Sequence, residues 1–441
     1  MVFQKLQFFG IATVLSASLT YGFLNDVSTI KYLAIKEQSS SHTNHCRRYK
    51  GSRKNIPIRS SLAAEIGVGI DLGTTNSAIA FLNENNEPRI IEIPNNGRTM
   101  KSVVAFDSKY NDNDNDDSIN FSYALVGNEA IEWEQQHEEN VYRHVKRVIG
   151  TSINHITKET KAVVPHLVLA DDTDDDYDYD NKNEPSYISP EYISSCILQR
   201  LLMVASEHTG NTITRAVIGV PAYFNDAQRD ATVRAANACG IEKVKLLREP
   251  EAAALAYGVD KDSDEEEELV LVFDLGGGTY DVSVLMVEKG LTEIVCTSGN
   301  SQLGGTNFDA KIAQHVSKLV DGCCKTEEST GMILRAAELI RIYLSNNRIA
   351  HLALPLTEEG WLELQEQERK YREESRKVQD RLPDEKVRAD GISGRPISRI
   401  VLVGGATRMP TIGRIISSLT GVVPQRTVDP DEAVALGCAV H

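Results

Sequence analysis

Two short glycine loops, each opened by an aspartate at the end of an apolar run, constrain the fold of this 441-residue chain most strongly. Residues 71–77 (DLGTTNS) follow the apolar run 66–70, and residues 274–281 (DLGGGTYD) follow the apolar run 269–273. Each pattern predicts a buried strand, a tight turn and a second strand. One such loop could be an ordinary hairpin, but two of them indicate a duplicated domain.

The residue types in both loops suit phosphate binding. Glycine tolerates positive φ and lets backbone N–H groups approach an anion closely. The threonine hydroxyls add donors, and the leading Asp71 and Asp274 can reach a metal ion or its water shell. We therefore expect the two halves of the duplicated domain to hold a phosphate chain between them.

Strands and helices alternate along the rest of the chain. Ser189 and Asn225 are expected to cap helices, with Pro190 in the first helical position. The segment 141–149 is predicted to be another amphipathic piece. The predicted helices include 123–139, 190–208, 225–239, 331–344 and the highly charged 358–382. This alternation, with a hairpin at each glycine loop, predicts an α/β fold of two similar mixed-sheet domains.

The formal charge of −16 is concentrated in three acidic runs, within residues 112–117, 171–180 and 262–268. Such self-repelling runs are typical of solvated loops, although a surface for cations or basic partners is the alternative. No basic stripe is interleaved with aromatic residues, which argues against a nucleic-acid partner.

The N-terminus has the layout of a targeting segment. Lys5 precedes an apolar stretch over residues 8–23 with small residues near its end, as in a secretory signal peptide. The following residues, to about Ala64, are rich in serine, lysine and arginine. The pair resembles the bipartite presequence of algae with secondary plastids, which predicts a plastid location. An endoplasmic-reticulum signal followed by a linker is the alternative. We expect residues 1–65 to be a disordered or removed presequence, with no membrane span after its removal.

Several motifs together identify a family. The chain resembles the ATPase domain of the heat-shock protein 70 chaperones over roughly residues 66–441, through IGVGIDLGTTNSAIAFL, VKRVIGT, AVIGVPAYFNDAQRDATVRAANACGI, LLREPEAAALAYGVD, VFDLGGGTYDVSV, LGGTNFD, IVLVGGATRMP and DPDEAVALGCAV. The resemblance implies an actin-like ATPase fold. Its two lobes, residues 66–248 and 249–441 here, each contain a duplicated mixed-sheet subdomain. Between them lies a central cleft for ATP or ADP, Mg²⁺ and K⁺.

The resemblance also assigns roles to individual residues. The phosphate loops correspond to Gly73, Thr74, Thr75, Asn76, Gly276, Gly277, Gly278 and Thr279. Asp71 and Asp274 correspond to the carboxylates that organise hydrated Mg²⁺. The catalytic positions correspond to Lys146, beside the γ-phosphate, and to Glu249, Thr279 and Asp281. Read without the family, Lys146 could be an exposed lysine, Glu249 a helix-dipole partner and Asp281 a turn cap.

Nucleoside contacts and signalling residues are implied in the same way. The turn facing the phosphates and ribose corresponds to Gly304 and Gly305, and the nucleoside positions correspond to Glu338, Arg341, Ser345, Gly404, Gly405, Arg408 and Asp431. Glu338 and Arg341 could otherwise be solvated helix charges. Pro221 and Arg229 match the family's relay between nucleotide state and the partner domain, although Pro221 could simply end a strand.

The chain also departs from the family pattern. It ends at His441, where the family continues into a peptide-binding domain, so we expect an ATPase domain alone or a truncated record of a longer chaperone. The region between Ser345 and Trp361 is shorter than in the family, which puts exchange-factor binding in doubt. Ile342 stands where the family commonly has an arginine against adenine, and the cation–π contribution is then lost.

The expected function is a slow, ATP-hydrolysing nucleotide switch for protein folding, quality control or stress response. J-domain co-chaperones are expected partners, and the chain is expected to be a monomer. A non-catalytic nucleotide-binding or regulatory relative is the main alternative. A small-molecule kinase and an actin-like filament protein are weaker alternatives on the same fold.

Overall fold

The computed structural model describes residues 30–34, 66–106, 124–134, 141–151, 188–258, 268–288, 291–300, 303–319, 327–347, 350–354 and 397–441. These residues form two compact units. The first unit holds the described residues of 66–308 and 397–441, and the second holds those of 30–34 and 309–354. The predicted charged helix over 358–382 lies outside the described residues.

The strands are β1 (Ile30–Ala34), β2 (Gly67–Asp71), β3 (Asn76–Leu82), β4 (Pro88–Ile90), β5 (Met100–Lys101), β6 (Val103–Phe106), β7 (Ala124–Val126), β8 (Val141–Arg143), β9 (Arg215–Val220), β10 (Lys243–Arg248), β11 (Glu268–Leu275), β12 (Tyr280–Glu288), β13 (Leu291–Asn300), β14 (Ala350–Leu354) and β15 (Arg399–Val403). The helices are α1 (Asn128–Glu134), α2 (Pro190–Thr209), α3 (Asp226–Ala238), α4 (Glu249–Ala256), α5 (Gly305–Leu319), α6 (Glu327–Asn346), α7 (Pro410–Thr420) and α8 (Ala433–Val440). Two 3₁₀ turns lie at Val145–Arg147 and Gly405–Arg408. The mixture of sheets and helices confirms the α/β class.

Two mixed sheets of the first unit are built around the aspartate-ended strands. In one, the strand order is β10-β9-β2-β3-β4, with β5 also paired to β3. In the other, the order is β13-β12-β11-β15. Strands β2 and β11 each have an antiparallel hairpin neighbour and a parallel neighbour on the other side. The strand–turn–strand prediction is therefore confirmed at both loops, and the two sheets share the same local plan.

Helix α8 packs on both β2 and α4 through small residues. A Cβ atom at Gly69 would lie 2.2 Å from the backbone nitrogen of Ala439, and one at Gly437 would lie 1.8 Å from the carbonyl oxygen of Ala252. Such close backbone approach requires glycine at both positions. The apolar side chains at this contact, including Val434 and Cys438, belong to one buried cluster.

The helix caps agree with the sequence analysis. Ser189 Oγ accepts from the Tyr192 N–H at 3.1 Å at the start of α2. Asn225 and Gln228 form a reciprocal capping box at the start of α3. These local bonds satisfy N–H groups that the first helical turn leaves unpaired.

A third sheet corrects two of the predicted elements. Residues 124–126, expected to begin a helix, form β7, and the helix that follows is α1. Residues 141–149, expected to be an amphipathic piece, form β8 followed by the 3₁₀ turn at Val145–Arg147. Both β7 and β8 pair antiparallel with β6. Pairing with a strand distant in sequence overrode the local helical pattern.

The second unit contains most of α5, helix α6 and a parallel pair of strands, β1 and β14. Ile312, Val316, Ala337 and Ile340 supply buried apolar side chains on its two helices. No helix among the described residues is long and apolar enough to cross a bilayer.

Candidate active site

Two carbonyl groups of the first glycine loop are held by Ser102. Ser102 Oγ donates to the Gly73 carbonyl at 2.8 Å, and the Ser102 N–H donates to the Thr75 carbonyl at 2.8 Å. The N–H groups of Thr74 and Thr75 donate to no described residue. The Thr75 hydroxyl is buried and likewise has no partner in the described part of the chain. Tied-back carbonyls and free N–H groups are the arrangement that binds an anion.

The second loop, residues 276–279, repeats this arrangement. Its first three carbonyls accept, in order, from the Gly305 N–H at 2.9 Å, the Thr306 N–H at 2.8 Å and the Arg147 guanidinium at 2.6 Å. The N–H groups of residues 277–279 find no hydrogen-bond partner among the residues described. This loop is therefore a second candidate anion site.

The two loops touch each other. A Cβ atom at Gly277 would lie 1.9 Å from Thr75 Oγ1, so no other residue fits there without displacement. A Cβ atom at Gly304 would lie 2.4 Å from the backbone nitrogen of Gly278. Because these three segments are in contact within one unit, their free donors can serve a single extended anion.

Lys146 and Glu249 lie beside the loops and contact each other. Lys146 belongs to the 3₁₀ turn at Val145–Arg147, Glu249 begins α4, and Lys146 Nζ donates to Glu249 Oε1 at 2.5 Å. Burial lowers the pKa of the Lys146 ammonium, but Glu249 and Asp71 more than offset it, so that this pKa is raised overall. The lysine stays protonated at neutral pH and supplies a shielded positive charge.

Three carboxyl groups crowd the same region. Burial, with repulsion from Glu249, raises the pKa of Asp71 to about 7 and that of Asp281 to about 8. The pKa of Asp274 is raised by burial and by the neighbouring carboxylates. Asp274 and Asp281 are directly opposite each other in the β11–β12 register. Ionising all three carboxyl groups is unfavourable because they are buried and repel one another. A divalent cation bound beside them would instead favour their ionised forms.

The residues present fit a phosphate chain with Mg²⁺. Thr75 Oγ1 and Asp281 Oδ1 are buried polar atoms without a partner among the described residues, and Thr75 Oγ1 lies against the second loop at Gly277. No group of three or more His, Cys, Asp or Glu side chains in the described part of the chain could hold a metal by itself. Magnesium commonly binds one or two carboxylates together with waters and substrate phosphates, which is what Asp71 and Asp274 could offer.

Glycines near the end of β15 border this region. Gly404 has φ of +80°, and a Cβ atom there would lie 2.4 Å from the Leu275 carbonyl oxygen and 2.8 Å from Asp274 Oδ1. A Cβ atom at Gly405 would lie 2.5 Å from Asp431 Oδ1. A side chain at either position would collide with neighbouring protein atoms, so this close packing requires glycine at both.

Arg408 holds the acidic residues that follow in sequence. The Nε of Arg408 donates to Asp431 Oδ2 at 3.0 Å, and its Nη2 forms an ion pair with Asp429 Oδ1. Burial raises the pKa of Asp431. The structure thus places Gly404, Gly405, Arg408 and Asp431 together, next to Asp274.

Glu338, Arg341 and Ser345 belong to the second unit and lie on α6. Arg341 forms a two-point ion pair with Asp309, at 2.6 and 3.1 Å. The Ser345 hydroxyl donates to the Arg341 carbonyl at 3.0 Å. The guanidinium of Arg341 is therefore already held by a carboxylate of its own unit.

Pro221 and Arg229 bracket the turn after β9. The Phe224 N–H donates to the Pro221 carbonyl at 3.2 Å, and Arg229 Nε donates to the Phe224 carbonyl at 3.0 Å. The arginine therefore braces the turn that begins at the proline.

Two residues of the site were not singled out from the sequence. Arg147 could have been found because it directly follows Lys146 in a motif. Ser102 gave no signal, because its role depends on β5 folding back beside the first loop.

A family model described as Hsp70 protein matches residues 67–441. The chaperone protein dnaK of Thalassiosira pseudonana is 37% identical over 388 residues, covering 85% of this chain and 61% of the relative. The chaperone protein DnaK of Prochlorococcus marinus (strain MIT 9515) is 38% identical over 387 residues, covering 85% and 58%. The chain therefore spans about three fifths of the length of the curated relatives that it matches.

Proposed function

This chain belongs to the Hsp70 family, and we propose that it is an ATP-binding, slowly ATP-hydrolysing nucleotide switch acting in protein folding or quality control. One observation carries the proposal. Two touching loops have their carbonyls bonded away and their N–H groups free, and the shielded Lys146–Glu249 pair lies beside them. Phosphoryl transfer needs this kind of positioning and charge neutralisation more than covalent chemistry.

The roles of the residues follow from their chemistry. The loop N–H groups and the hydroxyls of Thr75 and Thr279 hold the phosphates, and Lys146 places a positive charge at the terminal phosphate. Glu249 orients the attacking water. Asp71 and Asp274 would hold Mg²⁺ through its water shell, and the bound ion would supply positive charge that neutralises the phosphates. We expect turnover to be slow, as suits a switch.

The actin-like arrangement belongs to the same proposal. Two lobes, residues 66–248 and 249–441, close over the nucleotide, and K⁺ assists phosphate binding. We assign the ribose and adenine positions of the first unit to Gly304, Gly404, Gly405, Arg408 and Asp431. The family resemblance also implies nucleoside roles for Glu338, Arg341 and Ser345.

Partners and compartment form the last part of the proposal. DnaK-like chaperones work with J-domain co-chaperones and exchange factors in general, and J-domain co-chaperones are the partners that we propose for this chain. Residues 1–65 direct the chain to a plastid. A fluorescent protein carrying residues 1–65 should enter plastids in an alga with secondary plastids, whereas retention in the endoplasmic reticulum would favour the other location.

The deciding experiment uses the full chain. Binding of ATP and ADP is measured by calorimetry, and hydrolysis is measured in a single turnover with Mg²⁺ and K⁺. We expect slow conversion of bound ATP to ADP and phosphate. Tight ATP binding without hydrolysis would favour a non-catalytic regulatory relative, and transfer of phosphate to an added small-molecule acceptor would favour a kinase.

A further inference from the structure

Arg147 is held differently from two other shielded arginines, Arg341 and Arg399. Arg341 pairs with Asp309 and Arg399 pairs with Glu268, each at 2.6 Å. Arg147 is half-buried, and no carboxylate of the described residues lies within ion-pair distance of it. Its Nε is buried without a hydrogen-bond partner among those residues. Burying an unpaired guanidinium is unfavourable, so fold stability alone does not account for its position.

The guanidinium holds one end of a peptide group. Arg147 Nη2 donates to the Gly278 carbonyl at 2.6 Å. In a trans peptide the carbonyl and the following N–H point in opposite directions. Holding the Gly278 carbonyl therefore directs the Thr279 N–H away from Arg147, and that N–H has no partner in the described part of the chain.

The other two carbonyls of the loop are held in the same way, but by backbone donors. The Gly305 N–H donates to the Gly276 carbonyl at 2.9 Å, and the Thr306 N–H donates to the Gly277 carbonyl at 2.8 Å. Glycine peptides rotate easily because no Cβ restricts them. Arg147 is thus the one side chain among the three donors that fix the loop.

Arg147 also links this loop to Lys146. The two residues are adjacent in the 3₁₀ turn, whose preceding residue His144 has φ of 57°. Lys146 contacts Glu249 while Arg147 contacts Gly278. One short turn therefore sets the distance between the cation and the loop donors.

We propose that Arg147 is a positioning residue of the ATPase site, which fixes the direction of the Thr279 N–H and the placement of Lys146 against the second phosphate loop. The inference rests on the proposed ATPase function. Its effect is greatest on hydrolysis of the terminal phosphate and small on ADP binding, because Lys146 is assigned to the γ-phosphate.

The test compares Arg147→Met, which keeps the apolar stem but removes every donor, with Arg147→Lys, which keeps a charged donor. Single-turnover ATP hydrolysis and ADP affinity are measured with Mg²⁺ on the full chain. Arg147→Met should slow hydrolysis at least about tenfold with ADP affinity within about twofold of wild type. Arg147→Lys should recover most of the rate. A merely structural role would not separate the rate from ADP affinity in this way.

Arg143→Met is the matched control, because Arg143 is two residues away from the turn and pairs with Glu134; its rate should equal that of wild type. If Arg147→Met does not fold, Arg147→Leu, which also lacks every donor, replaces it with the same expected slowing. A wild-type rate in either folded variant, or no recovery in Arg147→Lys, overturns the inference. Absence of hydrolysis in the wild-type chain would instead overturn the proposed function itself.

Discussion

Lys146 Nζ donates to Glu249 Oε1 at 2.5 Å, and the two side chains are only 11% and 10% exposed. The pair joins a 3₁₀ turn to the first residue of α4 across 103 positions of sequence. Glu249 is therefore not simply a helix-dipole partner, and Lys146 is not an exposed lysine. The phosphate of the proposed nucleotide would have to compete with Glu249 for the Lys146 ammonium.

Replacing Lys146 should separate binding from hydrolysis. Lys146→Met removes the charge proposed for the terminal phosphate, so single-turnover hydrolysis should fall by about 100-fold or more. ATP affinity, measured by calorimetry, should change only a few-fold, because the loop N–H groups remain. Hydrolysis at the wild-type rate in this variant would contradict the role given to Lys146.

The control for Lys146→Met tests the ion pair. The single change leaves Glu249 buried without a partner, which should lower the free energy of unfolding by about 3–5 kcal/mol. The double variant Lys146→Met with Glu249→Gln should regain much of that stability in urea unfolding but none of the hydrolysis. Recovery of hydrolysis by the double variant would show that instability, not lost chemistry, had slowed the single variant.

Removing the charge of Asp274 should abolish the dependence on magnesium. Burial and the neighbouring carboxylates already disfavour its ionised form, so Asp274→Asn should not destabilise the metal-free protein. The increase in nucleotide affinity on adding Mg²⁺ should be lost, as calorimetry with and without EDTA would measure. Asp230→Asn, an exposed change on α3, should keep the wild-type response. An unchanged Mg²⁺ response in Asp274→Asn would rule out its assignment to the metal.

Two glycines with positive φ offer a matched comparison. Gly210→Ala should cost about 1–2 kcal/mol of unfolding free energy, because alanine resists the left-handed region at φ of 69° and ψ of 13°. Gly404, at φ of 80° and ψ of 139°, lies in a region that is essentially restricted to glycine, so the backbone strain in Gly404→Ala should cost about 1–3 kcal/mol. Only Gly404 is crowded, since nothing lies within 4 Å of a Cβ at Gly210. Gly404→Ala should cost a further 1–3 kcal/mol, about the usual penalty for overpacking.

Nucleotide binding distinguishes the same two variants. The added methyl group in Gly404→Ala would approach Asp274 Oδ1, so affinity for Mg²⁺ with nucleotide should weaken, whereas Gly210→Ala should bind as wild type. Equal stability and equal affinity in the two alanine variants would mean that the space beside Gly404 is not needed by a ligand.

The sequence was sufficient where local patterns and tertiary structure agree. Apolar runs ending in Asp71 and Asp274 predicted the two hairpins, and Ser189 and Asn225 predicted helix starts. These features depend on neighbours within a few residues.

The features that were missed depend on distant partners. Strands β7 and β8 formed because β6 lies between them, which no local period reveals. The carbonyl contacts of Ser102 and Arg147 connect segments that only the folded chain brings together. The family motifs pointed to Lys146 and Glu249 separately, but the hydrogen bond between them required the structure.

Tyr257 provides a prediction on pH, because it fixes the end of the helix that Glu249 begins. Its hydroxyl hydrogen is shared between the carbonyls of Leu402 and Val428, at 3.1 and 3.2 Å. Burial, followed by the carboxylate of Asp429, raises the pKa of Tyr257 to about 12, above the value of about 10 for an unfolded tyrosine. The stabilisation from the neutral hydroxyl is therefore complete below about pH 10 and is lost as pH rises toward 12.

Tyr257→Phe should consequently lower the free energy of unfolding by about 1 kcal/mol at pH 8, as urea titrations would measure. Between about pH 10 and 12 the difference should shrink and then reverse, because phenylalanine cannot ionise. Tyr343→Phe, at a side chain that is 52% exposed, should follow the wild-type curve throughout. Parallel curves for Tyr257→Phe and wild type would mean that the hydroxyl of Tyr257 ionises as readily in the folded chain as in the unfolded one, and that the end of α4 is not anchored through it.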